Sequence, residues 1–135
     1  MAKFERGQTL PELRVTPDKY LPHRYAGASL DFNPMHIGPE FARAAGLEQN
    51  LLHGMYTFGL LARAHTDVAG DPRALRVLEG EFRAMAFPER EIVVRATVSE
   101  LTGGRVTTDA VAAQEDRQVI RNAAAVLDLD RVPTP

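Results

Sequence analysis

The second half of the chain alternates between apolar and polar residues, which is the two-residue period of β-strands with one buried face. Gly103-Gly104 is a two-residue hairpin signal inside this region, and Glu115-Asp116 fits a second turn. We therefore predict three or four long antiparallel strands. The strand-like segments are residues 78–87, 91–101, 105–114 and 117–129.

A stretch before these strands is apolar on almost every side of a helix. It runs from Met55 to Ala64, polar residues return at 65–67, and Gly70-Asp71-Pro72 ends it. A helix that is apolar all round is typically a buried one. One buried helix followed by antiparallel strands predicts an α+β fold, in which a sheet curls around the helix.

Prolines and glycines mark shorter helices nearer the N-terminus. Thr16 and Pro17 predict the N-cap and the first residue of a helix that Pro22 interrupts. Pro39 and Gly46 predict the start and the end of a second helix. The first half is therefore expected to be helix and loop.

The composition predicts one globular domain, residues 1–135, with 44% hydrophobic and 25% charged residues. The net charge of −2, with both signs mixed along the chain, argues against a nucleic-acid partner. The absence of cysteine excludes disulfides and thiolate nucleophiles. No apolar run reaches the ~18 residues of a membrane span, and residues 1–15 lack an export signal, so we expect a cytoplasmic protein. Two prolines predict that residues 130–135 form an irregular tail.

Residues 29–38 place an acid, an amide and an imidazole close together around a proline. A helix does not run easily through Pro34, and Asn33 before it is pushed away from helical angles. Asp31 and His36 are therefore expected on a bent segment and not on one helical face. Such segments position reactive side chains, although Asp, Asn and Asn-Pro are also ordinary turn formers.

These residues belong to a longer ordered set. The set consists of Tyr25-Ala26, Ser29, Asp31, Asn33-Pro34, His36, Phe41-Ala42 and His53-Gly54-Met55. In this order and at this spacing it resembles the MaoC-like family of hot dog-fold proteins, over residues 25–61. That family includes (R)-specific enoyl-CoA hydratases and the hydroxyacyl-thioester dehydratases of fatty-acid synthesis.

The resemblance implies a hot dog fold, in which an antiparallel sheet wraps one long helix. It also implies a dimer that pairs sheet edges, a homodimer by expectation with a heterodimer as the alternative. Pairing of this kind covers an exposed edge strand. The implied substrate is an acyl thioester carried on CoA, which we favour, or on an acyl carrier protein, with no cofactor and no metal.

The resemblance assigns roles to individual residues. Asp31 and His36 form an acid–base pair that takes a proton from water and returns one to the α-carbon, and the division of labour between them stays open. Gly54, at the apparent start of the buried helix, forms the oxyanion hole, because backbone N–H groups there lack partners and the helix dipole is positive. The other orienting or substrate-lining candidates are Ser29, Leu30, Asn33, His53 and Tyr56.

Two positions depart from the family pattern, which commonly has glycine at both. Leu30 stands between Ser29 and Asp31. If this position needs a positive φ, leucine is strained there and the acid is displaced; if not, its side chain narrows the acyl pocket. Glu89 follows Pro88 where Pro-Gly is common, and this change affects the shape of a turn.

Several alternatives stay open. Asp31, His36 and His53 have the composition of a two-histidine, one-carboxylate metal site. A non-catalytic partner subunit, or an acyl-thioester binding module, would keep the fold without activity, and the departure before Asp31 favours it. A hot dog thioesterase is a third hypothesis, although those families lack this motif set. Arg83 and Arg95 are interpreted as solvated charges and not as contacts to CoA phosphates.

Overall fold

A five-stranded antiparallel sheet packs around one long helix in the computed structural model, which describes residues 3–131. The predicted α+β, hot dog architecture is confirmed. The helices are α1 (Leu21–Ser29), α2 (Pro34–Ile37), α3 (Pro39–Ala44) and α4 (Gly54–Ala69). The strands are β1 (Leu13–Val15), β2 (Leu75–Phe82), β3 (Ile92–Thr102), β4 (Arg105–Gln114) and β5 (Arg117–Asp128), in the spatial order β1-β3-β4-β5-β2.

The core lies between α4 and the concave side of the sheet. Helix α4 contacts β2, β3, β4 and β5. The predicted alternation along β3 is confirmed, because every second residue from Ile92 to Val98 is buried in the core. Buried residues of α4 that face this core include Leu60, Leu61 and Ala64.

The long helix ends as predicted but is not buried all round. Gly70 has a left-handed φ of 76°, and its N–H donates to Thr66 O to close the helix. Met55, predicted to be buried, is 58% exposed at the other end of α4. The sheet therefore covers one face of the helix and leaves Met55 exposed at its first turn. None of the helices within residues 3–131 is long and apolar enough to cross a membrane.

Both predicted turns between strands are confirmed. Thr102 pairs with Arg105 across Gly103-Gly104, and Glu115-Asp116 joins β4 to β5. Glu89 forms a turn with a left-handed φ of 66°, so the departure from glycine at this position falls where glycine is least strained.

The second strand is shifted from the predicted residues 78–87. It begins at Leu75 and ends at Phe82, so Ala84 and Ala86 lie outside it. Gln114 explains the early end, because its side-chain amide donates to Phe87 O and accepts from Phe87 N–H. These bonds hold the segment after β2 against the end of β4.

Two predictions near the N-terminus are wrong. Thr16 and Pro17 do not start a helix; Tyr20 is the N-cap of α1, and Pro22 lies in its first turn. A proline in the first turn removes no helical hydrogen bond, so Pro22 starts the helix and does not interrupt it. Strand β1 was not predicted, because three residues carry no usable period.

The remaining helix and tail predictions have mixed outcomes. Pro39 starts α3, and Gly46 follows its end with a positive φ of 75°, as predicted. Leu129–Arg131 form a short 3-10 turn at the start of the predicted irregular tail. The rest of that tail, 132–135, lies outside the described residues.

Candidate active site

Leu30 adopts the strained conformation that the sequence raised as a question. It has φ 64° and ψ 17° at the end of α1, and its N–H donates to Ala26 O. A left-handed conformation costs a residue with a side chain roughly 1–2 kcal/mol. Its side chain is 78% exposed, and the ordinary backbone angles on which the second alternative for Leu30 depends are not present.

The carboxylate of Asp31 and the imidazole of His36 face each other. The distance from Asp31 Oδ2 to His36 Nε2 is 3.7 Å, too long for a direct hydrogen bond. His36 Nδ1 lies 2.9 Å from the carbonyl oxygen of Leu51, which can only accept, so Nδ1 carries the proton of the neutral ring. Nε2 and the carboxylate are then two acceptors aimed at one gap, and a water molecule can donate to both.

Hydrogen bonds with residues two positions away in the sequence fix the position of Asp31. Its backbone N–H donates to Ser29 Oγ (3.2 Å), and Asn33 N–H donates to Asp31 Oδ1 (3.3 Å). The Asn33 side chain accepts from Met35 N–H and caps α2, so it does not orient the pair through its amide as predicted. Asn33 instead positions both groups through its backbone and through the helix that it starts.

His36 sits on α2, a single helical turn that Pro34 begins. The segment after α3 holds this turn in place, since Leu51 N–H donates to Met35 O while Leu51 O accepts from His36. The Asn50 side-chain amide also donates to the carbonyl oxygens of Pro34, Met35 and Gly38. Sequence reasoning missed Asn50, because nothing in its neighbourhood indicates which distant carbonyls it contacts.

His53 links the two motifs. Its Nε2 donates to the backbone carbonyl of Asp31 at 3.0 Å, and its ring stacks on His36 with centroids 3.8 Å apart. The Tyr25 ring also packs on His53, with ring centroids 4.7 Å apart. His53 Nδ1 is buried and has no hydrogen-bond partner among the described residues. His53 is therefore a positioning residue between Asp31 and the start of α4.

Gly54 begins α4 next to this pair, and no side chain caps that end of the helix. A Cβ built on Gly54 would lie 3.0 Å from Cε1 of Phe82. A glycine lets the ring approach closely, and the ring is itself 57% exposed. Phe82 was predicted only as a strand residue, so its place at the helix start was missed.

Two cavities meet at Gly54 and Phe82. The outer cavity, of about 480 Å³, is also lined by Tyr25, Ser29, Asp31, His53 and Met55. The inner cavity, of about 310 Å³, is also lined by His36 and Thr57, and by apolar residues Met35, Leu51, Leu52, Ala84, Met85, Ala86 and Val119. The acid and the imidazole thus line two neighbouring cavities, which share Gly54 and Phe82 at the tip of α4.

Tyr56 lines neither cavity and packs against the core instead, where burial raises the pKa of its phenol. The predicted substrate-lining role is therefore not supported by its position. Its neighbour Met55 takes that place, because it faces the outer cavity.

The alternative metal ligands also converge. Asp31, His36 and His53 each offer one ligand atom, and these atoms lie within 4.8 Å of one another. His53 Nε2 already donates to a backbone carbonyl, which leaves the buried Nδ1 as the atom that could ligate a metal. The set has the composition of a divalent-metal site and stays an alternative that experiment can separate from the acid–base pair.

The fold and the site place the chain in a known family. Residues 4–119 match the model of the MaoC like domain. The chain is 36% identical, over 87 residues and 63% of its length, to the peroxisomal enoyl-CoA hydratase 2 of Arabidopsis thaliana, covering 27% of that enzyme. This chain therefore belongs to the MaoC-like domain family.

Solved structures confirm the architecture. The (R)-hydratase from A. caviae involved in PHA biosynthesis superposes with a TM-score of 0.84, at 20% identity, over 95% of this chain and 98% of that one. The ChsH1-ChsH2 complex from Mycobacterium tuberculosis gives 0.82 at 21% identity, over 93% and 98%. At these identities the likeness concerns the fold alone. The chain spans between 6% and 38% of the lengths of the first three curated relatives it matches.

Proposed function

We propose that this chain is an (R)-specific enoyl-thioester hydratase, which also catalyses the reverse dehydration. The observation that carries the proposal is the 3.7 Å gap between Asp31 Oδ2 and His36 Nε2, two acceptors beside the uncapped start of α4. A single water held in that gap would lie next to an enoyl thioester whose carbonyl oxygen points at Gly54.

Each part of the site then has a step to perform. His36 Nε2 takes a proton from the water as the water oxygen bonds to the β-carbon of the enoyl group. The carbonyl oxygen gains negative charge, which the N–H groups at the start of α4 stabilise; one such donor is typically worth ~10²–10³ in turnover. The Asp31–His36 pair returns one proton to the α-carbon, so that H and OH have been added across the double bond. General acid–base assistance of this kind contributes ~10²–10⁴.

The relatives support the reaction class and leave its details to be tested. One is named an enoyl-CoA hydratase and one neighbour an (R)-hydratase, which favours a CoA thioester and the (R) product. We also propose a homodimer joined at a sheet edge, since β1 and β2 are the edge strands and unpaired edges invite pairing. The cytoplasmic location stays a prediction, and the Arabidopsis relative is named as peroxisomal.

The test is hydration of crotonyl-CoA by the purified chain, followed as loss of the conjugated thioester absorbance, with chiral analysis of the 3-hydroxy product. Asp31→Asn and His36→Ala should each lower turnover by ~10² or more and leave the thermal unfolding transition in place. Ser29→Ala, at the end of α1 two residues before Asp31, is the control, with a smaller expected effect. Unchanged turnover in both dyad variants would remove Asp31 and His36 from the mechanism.

Dialysis against EDTA separates the metal alternative. We expect turnover to persist after chelation, because the proposed steps need only the side chains and the water. Activity that disappears and returns with a divalent metal would assign Asp31, His36 and His53 to a metal site instead.

A non-catalytic partner subunit is the second candidate. Strain at Leu30 beside the acid favours it, and one structural neighbour is a complex of two differently named chains. Under this hypothesis the well-folded chain alone hydrates no enoyl-CoA of short, medium or long chain. An assay of such a chain-length series on one preparation decides between the two candidates.

A further inference from the structure

Three arginines line one cavity beside the proposed active site. Arg83, Arg117 and Arg121 surround a space of about 310 Å³ together with Ala84 and Gln118. The backbone N–H groups of Arg83 and Ala84 both donate to Val119 O, at 2.8 and 3.3 Å, and this fixes the first arginine beside β5. The cavity is thus a product of the β2–β5 pairing, which joins residues far apart in sequence.

The positive charge of this cavity is mostly uncompensated. Arg121 binds Glu81 at 3.0 Å, whereas Arg83 and Arg117 form no ion pair with any residue between 3 and 131. This occurs on a protein whose net charge is −2. Positive charge is therefore concentrated in this cavity although the chain as a whole is slightly negative.

A second arginine-lined depression, on the β1–β3 side of the sheet, shows what ordinary surface arginines do here. Each of its three arginines is bound to at least one glutamate. These arginines are Arg14, Arg90 and Arg95, and their partners include Glu12, Glu48 and Glu91. Arg95 is thus a paired surface charge, whereas Arg83 is exposed and has no ion-pair partner among the described residues.

The arginine cavity neighbours the proposed site. Ala84 lines both this cavity and the inner cavity, which also contains His36 and Gly54. The inference requires that a ligand with its thioester at Gly54 extends past Ala84 to the guanidinium groups. Guanidinium groups bind phosphate oxygens through paired, charge-assisted hydrogen bonds, so an anionic ligand of this class matches the cavity.

We propose that Arg83, Arg117 and Arg121 bind the phosphate groups of the CoA moiety of the substrate. The inference rests on the proposed hydratase function for its ligand, but the arginine cavity can be tested without turnover. It assigns the carrier as CoA and places the phosphates at the end of β2 and the start of β5.

The test uses the double variant Arg83→Ala, Arg117→Ala in the full-length protein. Both side chains are exposed and make no side-chain hydrogen bond within the described residues, so the fold should persist. Arg76→Ala is the matched control, since Arg76 is exposed on β2, about 20 Å along the chain from Arg83, and lines neither cavity. Arg121 is left intact because its removal would free Glu81.

Calorimetric titration with CoA gives the first readout. We expect the double variant to bind CoA tenfold to a hundredfold more weakly than wild type, with Arg76→Ala unchanged. The wild-type affinity should also fall with salt concentration more steeply than that of the double variant. Equal CoA affinity for all three proteins overturns the inference, whatever their activity.

Kinetics give the second readout. The double variant should show a tenfold or larger rise in KM for crotonyl-CoA at unchanged kcat, and no change with crotonyl-pantetheine, which lacks the phosphates. A parallel loss with both substrates overturns the inference. So does a defect confined to crotonyl-acyl carrier protein with normal CoA binding. If wild type hydrates no thioester yet CoA binding still depends on the two arginines, the phosphate site stands and the hydratase proposal fails.

Discussion

Two regions differ in how their buried polar atoms are hydrogen-bonded. One is the sheet of β3, β4 and β5, and the other is the motif segment, from α1 to the start of α4. In the sheet, the buried polar side chains are bonded: Thr108 to His65 and Gln114 to the Phe87 backbone. In the motif segment and the first turn of α4, His53 Nδ1 and Thr57 Oγ1 are buried and have no hydrogen-bond partner within residues 3–131. The motif segment therefore carries the reactive groups and the unsatisfied atoms, and the sheet stabilises it.

This contrast assigns stability to one region and activity to the other. Buried polar atoms without partners typically cost free energy and persist where the surrounding structure holds them in place. Changes in the sheet should therefore alter the free energy of unfolding and leave turnover per folded molecule intact. Changes at the site should lower turnover and leave the free energy of unfolding nearly unchanged.

The largest expected effect is in the sheet. Ile120 of β5 is fully buried, and its truncation to alanine should lower the free energy of unfolding by about 2–5 kcal/mol. Urea denaturation followed by circular dichroism measures the loss. Crotonyl-CoA turnover per folded molecule should stay within about twofold of wild type. A loss below about 1 kcal/mol would show that the sheet does not dominate the stability.

A glycine pair on α4 sharpens the contrast within one helix. Gly54→Ala places a methyl group between the helix start and Phe82, 3.0 Å from its ring, and should block the approach of a substrate carbonyl. We expect turnover to fall by ~10²–10³, about 2.7–4 kcal/mol, without loss of stability. Gly59→Ala is the control, since a Cβ there meets nothing within 4 Å.

The two alanine variants should therefore separate activity from folding. Gly59→Ala should keep full turnover and gain about 0.5–1 kcal/mol from the better helix propensity of alanine. Equal turnover in the two variants would show that Gly54 is a packing residue only. The measurements are kcat with crotonyl-CoA and the midpoint of urea unfolding.

The next prediction concerns pH and the buried histidine of the core. His65 bonds to Leu61 O and Thr108 Oγ1, both at 2.7 Å, and burial lowers the pKa of its imidazole. The native state then binds a proton less readily than the unfolded chain, whose histidine titrates near ~6.5. Stability from the neutral ring is complete above this value and is lost as the pH falls below it.

The variant His65→Gln isolates that contribution, because its amide can still donate to Leu61 O and accept from Thr108. Urea midpoints at pH 7.5 and pH 5 should differ more in wild type than in the variant. An equal difference in the two proteins would assign the acid sensitivity to other groups. Turnover at pH 7.5 should change little, since His65 lies outside both cavities.

The sequence could predict what depends on neighbours along the chain. The alternation of β3, the Gly103-Gly104 turn and the helix break at Pro34 are local features, and the structure confirms each of them. The contacts of Phe82 with Gly54, and of Asn50 with α2, depend on how distant segments pack. No local pattern encodes that packing.

The arginine cavity illustrates the same limit. It exists because Phe82 pairs with Ile120 across β2 and β5, a register that a bulge shifts between Glu79 and Glu81. A pattern of alternating residues locates a strand but does not fix its partner or its bulges. Of the proposed site, the residue types were predictable from the motif, and the two-cavity arrangement was not.

The smallest predicted effect tests the strain at Leu30, the one place where the motif segment departs from glycine beside the acid. Removing a left-handed leucine recovers roughly 1–2 kcal/mol, and the extra freedom of glycine in the unfolded chain takes back about 0.5–1 kcal/mol. Leu30→Gly should therefore raise the free energy of unfolding by about 1 kcal/mol or less. Glu89→Gly, at another left-handed position, should give a similar gain.

The two glycine variants differ in what they mean for activity. Asp31 directly follows Leu30 in the chain. Its backbone N–H donates to Ser29 Oγ at 3.2 Å. If the local hydrogen bonds set the position of the acid, Leu30→Gly leaves kcat within about twofold, as Glu89→Gly does. A gain in kcat confined to Leu30→Gly would show that the leucine displaces the acid and would support a weakly active partner subunit.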